Sequence, residues 1–275
     1  MKIIQGELYN MFASFKMDDL ITLGSNLEKY YAIGMEEKRI SQRMVEKQLD
    51  KYLSSTGELQ AVEIENDWFP TVNADVFLSH SHKDEKQIIA LAGELRSEYG
   101  LRSFIDSCVW GYSEDLLRII NNNYNLKENE DGTNIYDYEG SNQASTHVNM
   151  ILNSALMKMI DKTECIIFID TPNSLKVSNI KEGVTASPWI YSELLATRLL
   201  ERNIPIRKSK NSFMDQMFVE HSGLKVDYKV DISHLTSISR FDFAIASKPG
   251  RKKGKELLDQ LYYNKFWKGK NNESE

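Results

Sequence analysis

Two short stretches carry side chains that could do chemistry. Ser79-His80-Ser81-His82-Lys83-Asp84 completes and follows the apolar run that begins at Ala74, and Ser187-Pro188-Trp189 leads to Glu193. In the second stretch Ser187 suits a helix N-cap. Pro188 suits the first helical position, where its missing N–H costs nothing and its fixed φ is already helical. Trp189 and Glu193 then stand four residues apart, stacked on one helix face near the positive end of the dipole. An aromatic plane beside a carboxylate can hold a flat ring and face developing positive charge. Spacing alone favours the plainer reading of the pair, a core tryptophan and an ordinary surface acid.

The elements that position these residues follow from periodicity. The apolar run Ala74–Ser79 reads as a strand, and Asp84 to Tyr99 reads as a helix closed by Gly100. Leu101–Asp106 gives a second strand. Thr163–Asp170 gives a third, whose continuous apolar centre suits burial on both faces. One helix is expected over Trp110 to Tyr124. The segment from Lys127 to Thr146 is dense in Asn, Asp, Glu, Gly and Ser and is expected to be an exposed loop, with helical spacing resuming from Val148 to Ile160. A helix over Pro188–Glu201, strands near Ile204–Arg207 and Leu224–Asp231, and a helix over Lys253–Tyr263 complete the alternation. This pattern argues for a parallel sheet with helices on both faces. Ligands in such sheets bind outside the carboxyl ends of the strands, which singles out Ser79, His80, Ser81, Asp106, Asp170 and Thr171. An Asp ending a strand is as often a turn residue or helix cap.

The first seventy residues show helical spacing at Leu20, Leu23, Leu27 and Tyr31, and again at Met44, Val45, Leu49 and Tyr52, with Gly34 expected to break the pair. They carry no site chemistry, and the acidic connector ending at Pro70 suggests a boundary. The expected organisation is a helical extension over 1–70 outside the main core, an α/β domain over 71–267 with a polar insertion at about 111–147, and a polar tail over 268–275.

At 275 residues the chain exceeds the usual single-domain range of roughly 100 to 200, so one core with an appendage is expected. A hydrophobic fraction of 41% with 27% charged residues excludes a mostly disordered chain and a fibrous one. Forty acidic against thirty-four basic side chains leave a charge of −6, which disfavours general nucleic-acid affinity. Only Cys108 and Cys165 are present, in no C-x-x-C pair, as expected of reduced thiols in the cytoplasm. Even an unbroken apolar run such as Cys165–Ile169 is far shorter than the ~20 residues of a membrane span.

Taken together, Asp75-Val-Phe-Leu-Ser-His-Ser-His-Lys-Asp84 and Ser187-Pro-Trp-Ile-Tyr-Ser-Glu-Leu194 resemble two motifs of the Toll/interleukin-1 receptor (TIR) domain family, in the right order and each at the expected element. The resemblance covers about residues 74–265. It implies a flavodoxin-like five-stranded parallel sheet. Many bacterial and plant members of that family cleave the nicotinamide–ribose bond of NAD with the Glu four residues after the helix Trp. The resemblance therefore implies a catalytic role for Glu193 and a ring-contacting role for Trp189, with Ser79, His80, Ser81, Asp106 and Trp110 beside the substrate. NAD would be the substrate, with no cofactor and no metal. Partners implied are further copies of the chain and, in antiphage defence, a second effector protein that senses the product. The family's short loop after the second strand is replaced here by Ser107-Cys-Val-Trp-Gly111 and the polar insertion.

Two other readings compete. A TIR module can bind partners without catalysis, and the acid at Glu193 favours an enzyme without proving one. His80-x-His82-x-Asp84 also resembles the spacing in metallo-β-lactamase-type hydrolases. Glu85 stands where that family's next His belongs, and only His147, His221 and His234 remain to complete the site, so the motif is weak without its structural context.

Overall fold

The computed structural model describes residues 11–18, 26–42, 59–129, 132–177, 182–200 and 228–267, with Tyr52, Arg202, Asn203 and Pro205. The chain begins with β1 (Ala13–Met17), α1 (Leu27–Gln42), α2 (Ala61–Trp68) and β2 (Val76–Ser79), then a 3-10 turn (His82–Asp84) running into α3 (Glu85–Tyr99). Next come β3 (Ser103–Ile105), α4 (Ser107–Tyr124), β4 (Leu126–Glu128), β5 (Asn134–Tyr136), α5 (Tyr138–Lys162) and β6 (Cys165–Ile169). The remainder is β7 (Lys176–Val177), β8 (Glu182–Thr185), α6 (Pro188–Leu199), β9 (Tyr228–Asp231), β10 (Thr236–Ser237), α7 (Arg240–Ser247) and α8 (Gly254–Tyr262).

The protein is α/β, built on a five-stranded, all-parallel sheet in the order β10-β1-β6-β2-β3. Strand periodicity divides its side chains between two cores. Ala13, Phe15, Met17, Val76, Leu78, Cys165, Ile167 and Ile169 face the layer made by α3, α7 and α8. Phe77, Phe104 and Ile166 face the opposite layer, with α2, α4, α5 and Ala196 of α6. A smaller antiparallel sheet, β7-β8-β9, packs Val230 with Phe168 and with Ile190 and Leu194 of α6. Among the described residues no helix is long and apolar enough to cross a membrane.

Several expectations need correction. Residues 1–70 are not a purely helical extension: Ala13–Met17 is an interior strand, paired with β6 from Ala13↔Cys165 to Met17↔Ile169 and with β10 at Phe15↔Thr236. The alternation Ala-Ser-Phe-Lys-Met, with its three apolar residues on one face, explains this. Gly34 does not break a helix either. It lies inside α1, where a Cβ would stand 1.9 Å from the Ile89 carbonyl oxygen, and Gly93 of α3 meets the Tyr30 carbonyl in the same way. Two glycines thus let α1 and α3 cross backbone to backbone. The repeats around Leu20 and Met44 lie outside the described residues.

The polar insertion is ordered where it is described. Asn134–Tyr136 pairs back on Leu126–Glu128, and α5 starts at Tyr138 because the Asp137 carboxylate accepts the Gly140 N–H at 2.7 Å. Polar composition concealed this helix because its first turns are solvated on most sides. The segment expected as a strand near Leu224–Asp231 contributes Tyr228–Asp231 to the antiparallel sheet and not to the parallel one. Ile204 and 206–207 lie outside the described residues.

A chain starting at Thr71 would lose an interior strand and expose the flanks of β6 and β10. It should be recovered as aggregate or as a species without a cooperative melt; a soluble, sharply melting fragment would show β1 to be dispensable. Gly34→Ala should cost about 1–3 kcal/mol in denaturant unfolding, since the crossing must open against backbone.

Candidate functional site

The sheet directs its polar strand ends to one place. From β2 the chain passes to β3 on one side and returns to β6 on the other, so β2 and β6 flank the point where the winding reverses. The carboxyl edge at such a point is where open α/β sheets bind ligands. Ser79 shares the parity of Phe77, and Asp106 that of Phe104, so both face the layer that contains α6. On α6, Ser187 caps the helix by accepting the Ile190 N–H at 3.3 Å, with Pro188 in the first turn. That start places Glu193, one turn further on, against the sheet.

The result is a buried group of four. The Ser79 hydroxyl donates to Glu193 Oε2 at 2.6 Å. His80 Nδ1 lies 2.6 Å from Asp106 Oδ1 and also meets the Leu78 carbonyl at 3.1 Å. Asp106 Oδ1 further accepts the Ser107 N–H at 2.8 Å, tying the group to the first turn of α4. Relative exposure is 1% for both Ser79 and Glu193, 2% for Asp106 and 3% for His80. With both carboxyl groups ionised, Glu193 Oε1 and His80 Nε2 are buried without a hydrogen-bond partner among the described residues; a proton on Glu193 lets its carboxyl bond Asp106.

Electrostatics here follow from burial and proximity. Burial, and next the negative field of Asp106, push the Glu193 carboxyl well above the usual carboxylate range; the Ser79 hydrogen bond pulls the other way and loses. For His80, burial favours the neutral ring, but the charge and hydrogen bond of Asp106, the Leu78 carbonyl and the charge of Glu85 together outweigh it. Its pKa is raised above the ordinary value. Glu193 is therefore not the surface acid that its spacing allowed: it is sealed from solvent.

Not every expected residue joins the group. Ser81 starts the 3-10 turn, where its carbonyl accepts the Asp84 N–H at 2.8 Å. Trp189 is half-buried and packs against the core that holds Phe77 and Phe104. Trp110 lies in the first turn of α4, and its side chain is outside the described residues. Asp170 is half-buried, its pKa raised mainly by burial.

The His80-x-His82-x-Asp84 set does not converge. His80 turns into its pair with Asp106, His82 is exposed, and the buried Asp84 carboxylate accepts from Thr171 Oγ1 at 2.6 Å and Asn173 Nδ2 at 2.7 Å. Among the described residues no three His, Cys, Asp or Glu side chains gather as a metal site. Sequence reasoning missed that Asp84 clamps the β6 loop to the turn after β2. The one signal was an Asp just before a helix, which reads as a cap.

Because folding raises the pKa of Glu193, its stabilising contribution is complete below the unfolded value of ~4.3 and is lost as pH rises through the folded one. Glu193→Gln, which cannot ionise, should therefore gain melting temperature relative to wild type as pH climbs from about 5. A difference that stays flat with pH would show that Glu193 is ionised throughout.

Compared with known proteins, the chain matches no family model, no curated protein and no solved structure.

Proposed function

We propose that this chain is a TIR-type enzyme that cleaves the nicotinamide–ribose bond of NAD, with Glu193 as its catalytic residue. The observation that carries this reading is the Ser79–Glu193 contact, which joins the two sequence motifs at the carboxyl edge of the sheet. The topology is compatible with it. Leaving out β1, the described strands run β10-β6-β2-β3, so the first three in sequence take the 2-1-3 order of a flavodoxin-like sheet, and β1 occupies the next position.

The chemistry suits a single carboxyl group. Ordinary glycosidases need a general acid to protonate a departing oxygen and a second carboxylate for the sugar cation or for water. Nicotinamide leaves a pyridinium as a neutral molecule, so no acid is required. An ionised Glu193 would stabilise the oxocarbenium-like transition state and hold ribose hydroxyls, and Trp189 would line the ring side. Water as acceptor gives ADP-ribose; a nucleophile of the same molecule gives a cyclic product. Further copies of the chain, and an effector that senses the product in antiphage defence, are the partners this reading brings.

The sealing of Glu193 specifically favours a second reading, a TIR module that acts by interaction alone. Under the enzymatic reading, the elements around Glu193 must part before a dinucleotide enters, as in an enzyme switched on by assembly. Glu193→Gln keeps shape and hydrogen-bonding capacity while removing charge. It should lower NAD cleavage by ~10²- to 10³-fold or more while the fold persists. Chromatographic analysis of products from NAD, with the full chain at high concentration, checks this. Equal rates for the two proteins would remove Glu193 from the chemistry, and no cleavage by assembled wild type would leave the interaction module.

A further inference from the structure

We propose that Glu193 selects positively charged nicotinamide nucleotides over reduced, neutral ones by exchanging one charge for another: the resting protein holds a proton on Glu193, and a pyridinium ring entering beside it expels that proton. This rests on the NAD reading above and adds its substrate selectivity and its resting state.

At this edge of the sheet three ionisable groups are buried together. Two carboxyl groups, Glu193 and Asp106, share one sealed volume, and one imidazole, His80, stands with them at 2.6 Å from Asp106. His80 and Asp106 neutralise each other. A second carboxylate would then stand uncompensated in a low dielectric, which costs far more than taking up a proton. Among the described residues no cation faces Glu193 directly: from β2 comes the Ser79 hydroxyl, from the end of β3 comes Asp106, which acts on it through its charge and a hydrogen bond, and His80 is held by Asp106. Beyond His80 lies Glu85 of α3, itself held by Lys38 of α1 at 2.5 Å, so charge along this line is already paired off. The direction of the Glu193 pKa agrees.

The chemistry, however, needs an ionised Glu193. A ligand cation supplies the missing counter-charge, and the balance is simple. The neutral carboxyl and the incoming pyridinium become a carboxylate–pyridinium pair, and one proton passes to solvent. A dihydronicotinamide ring is neutral and leaves the proton in place, so it gains no such pairing. Oε2 is engaged by Ser79, which leaves Oε1 to carry the proton beside Asp106 and, once that proton has left, to face the ring.

Two measurements on the full chain test this. Infrared difference spectra across pH read the protonated carboxyl of Glu193 directly, whether or not NAD is cleaved. Wild type near neutral pH should show a band that is missing in Glu193→Gln. Asp106→Asn should move its titration down, and His80→Gln should move it up, each by about one to three pH units. Opposite shifts are not what a merely structural role produces. If either of those variants fails to fold, wild type against Glu193→Gln still decides.

Calorimetry with 1-methylnicotinamide, a stable pyridinium with no bond to cleave, in buffers of different ionisation enthalpy should then show about one proton released per cation bound. Neutral nicotinamide should release none, and neither should Glu193→Gln with the cation. Absence of the band overturns the proposal, as does cation binding without proton release or no cation binding at all, even if NAD is cleaved. Presence of the band with proton release, alongside no cleavage of NAD, would uphold the charge exchange and discard the glycohydrolase reading.

Discussion

A carboxyl group sealed away from water has to be either paired or protonated, and the architecture around Glu193 is arranged about that constraint. Ser79 engages one oxygen, Asp106 stands alongside, and His80 answers Asp106. None of these contacts is local in sequence. They exist because β2 and β3 end side by side and α6 lies across their carboxyl edge. The parity that buries Phe77 and Phe104 on one face also aims Ser79 and Asp106 at α6. Packing and chemistry are set by the same alternation, so a register slip of one residue in β2 would lose both.

The two helical layers serve this edge differently. On one side α3, α7 and α8 bury aliphatic and aromatic residues, and the bidentate Arg240–Glu94 pair, at 2.6 and 2.8 Å, ties α7 to α3. Removing one member of such a poorly exposed pair is usually far more damaging than replacing both. On the other side α4, α5 and α6 hold the core that includes Phe77 and Phe104, and α6 carries Ser187, Trp189 and Glu193. The first layer backs the sheet. The second faces the buried group of Ser79, His80, Asp106 and Glu193.

Much of this was legible in the sequence because the signals were local. Gly100 closes α3 in a left-handed conformation, Ser187 and Pro188 start α6, and the apolar runs at Val76 and Cys165 are parallel strands. All the residues of the buried group stood among the candidates at strand ends and on α6. What periodicity could not convey was depth. Four residues of spacing place Trp189 and Glu193 on a shared side of a helix but do not say which one is covered, and here the acid is buried while the tryptophan stays half-exposed. Ala13–Met17 was missed because five residues of alternation are a weak signal, and its pairing partners lie far along the chain. Gly34 misled for a related reason: its meaning resides in Ile89, across a helix crossing. The polar stretch after Tyr124 hid its order because a hairpin and a solvated helix start need few apolar residues.

The position of β1 also has a consequence in time. It leaves the ribosome well before its neighbours in the sheet, β6 and β10: Ala13 pairs with Cys165, and Phe15 with Thr236. An apolar strand with two unsatisfied edges must therefore wait until those strands are made. Loop closure over such separations is slow, and waiting edges recruit whatever strand is nearest. Synthesis order thus leaves this strand in need of protection until β6 and β10 arrive, and the edge it shares with β10 closes only once Thr236 and Ser237 have been made.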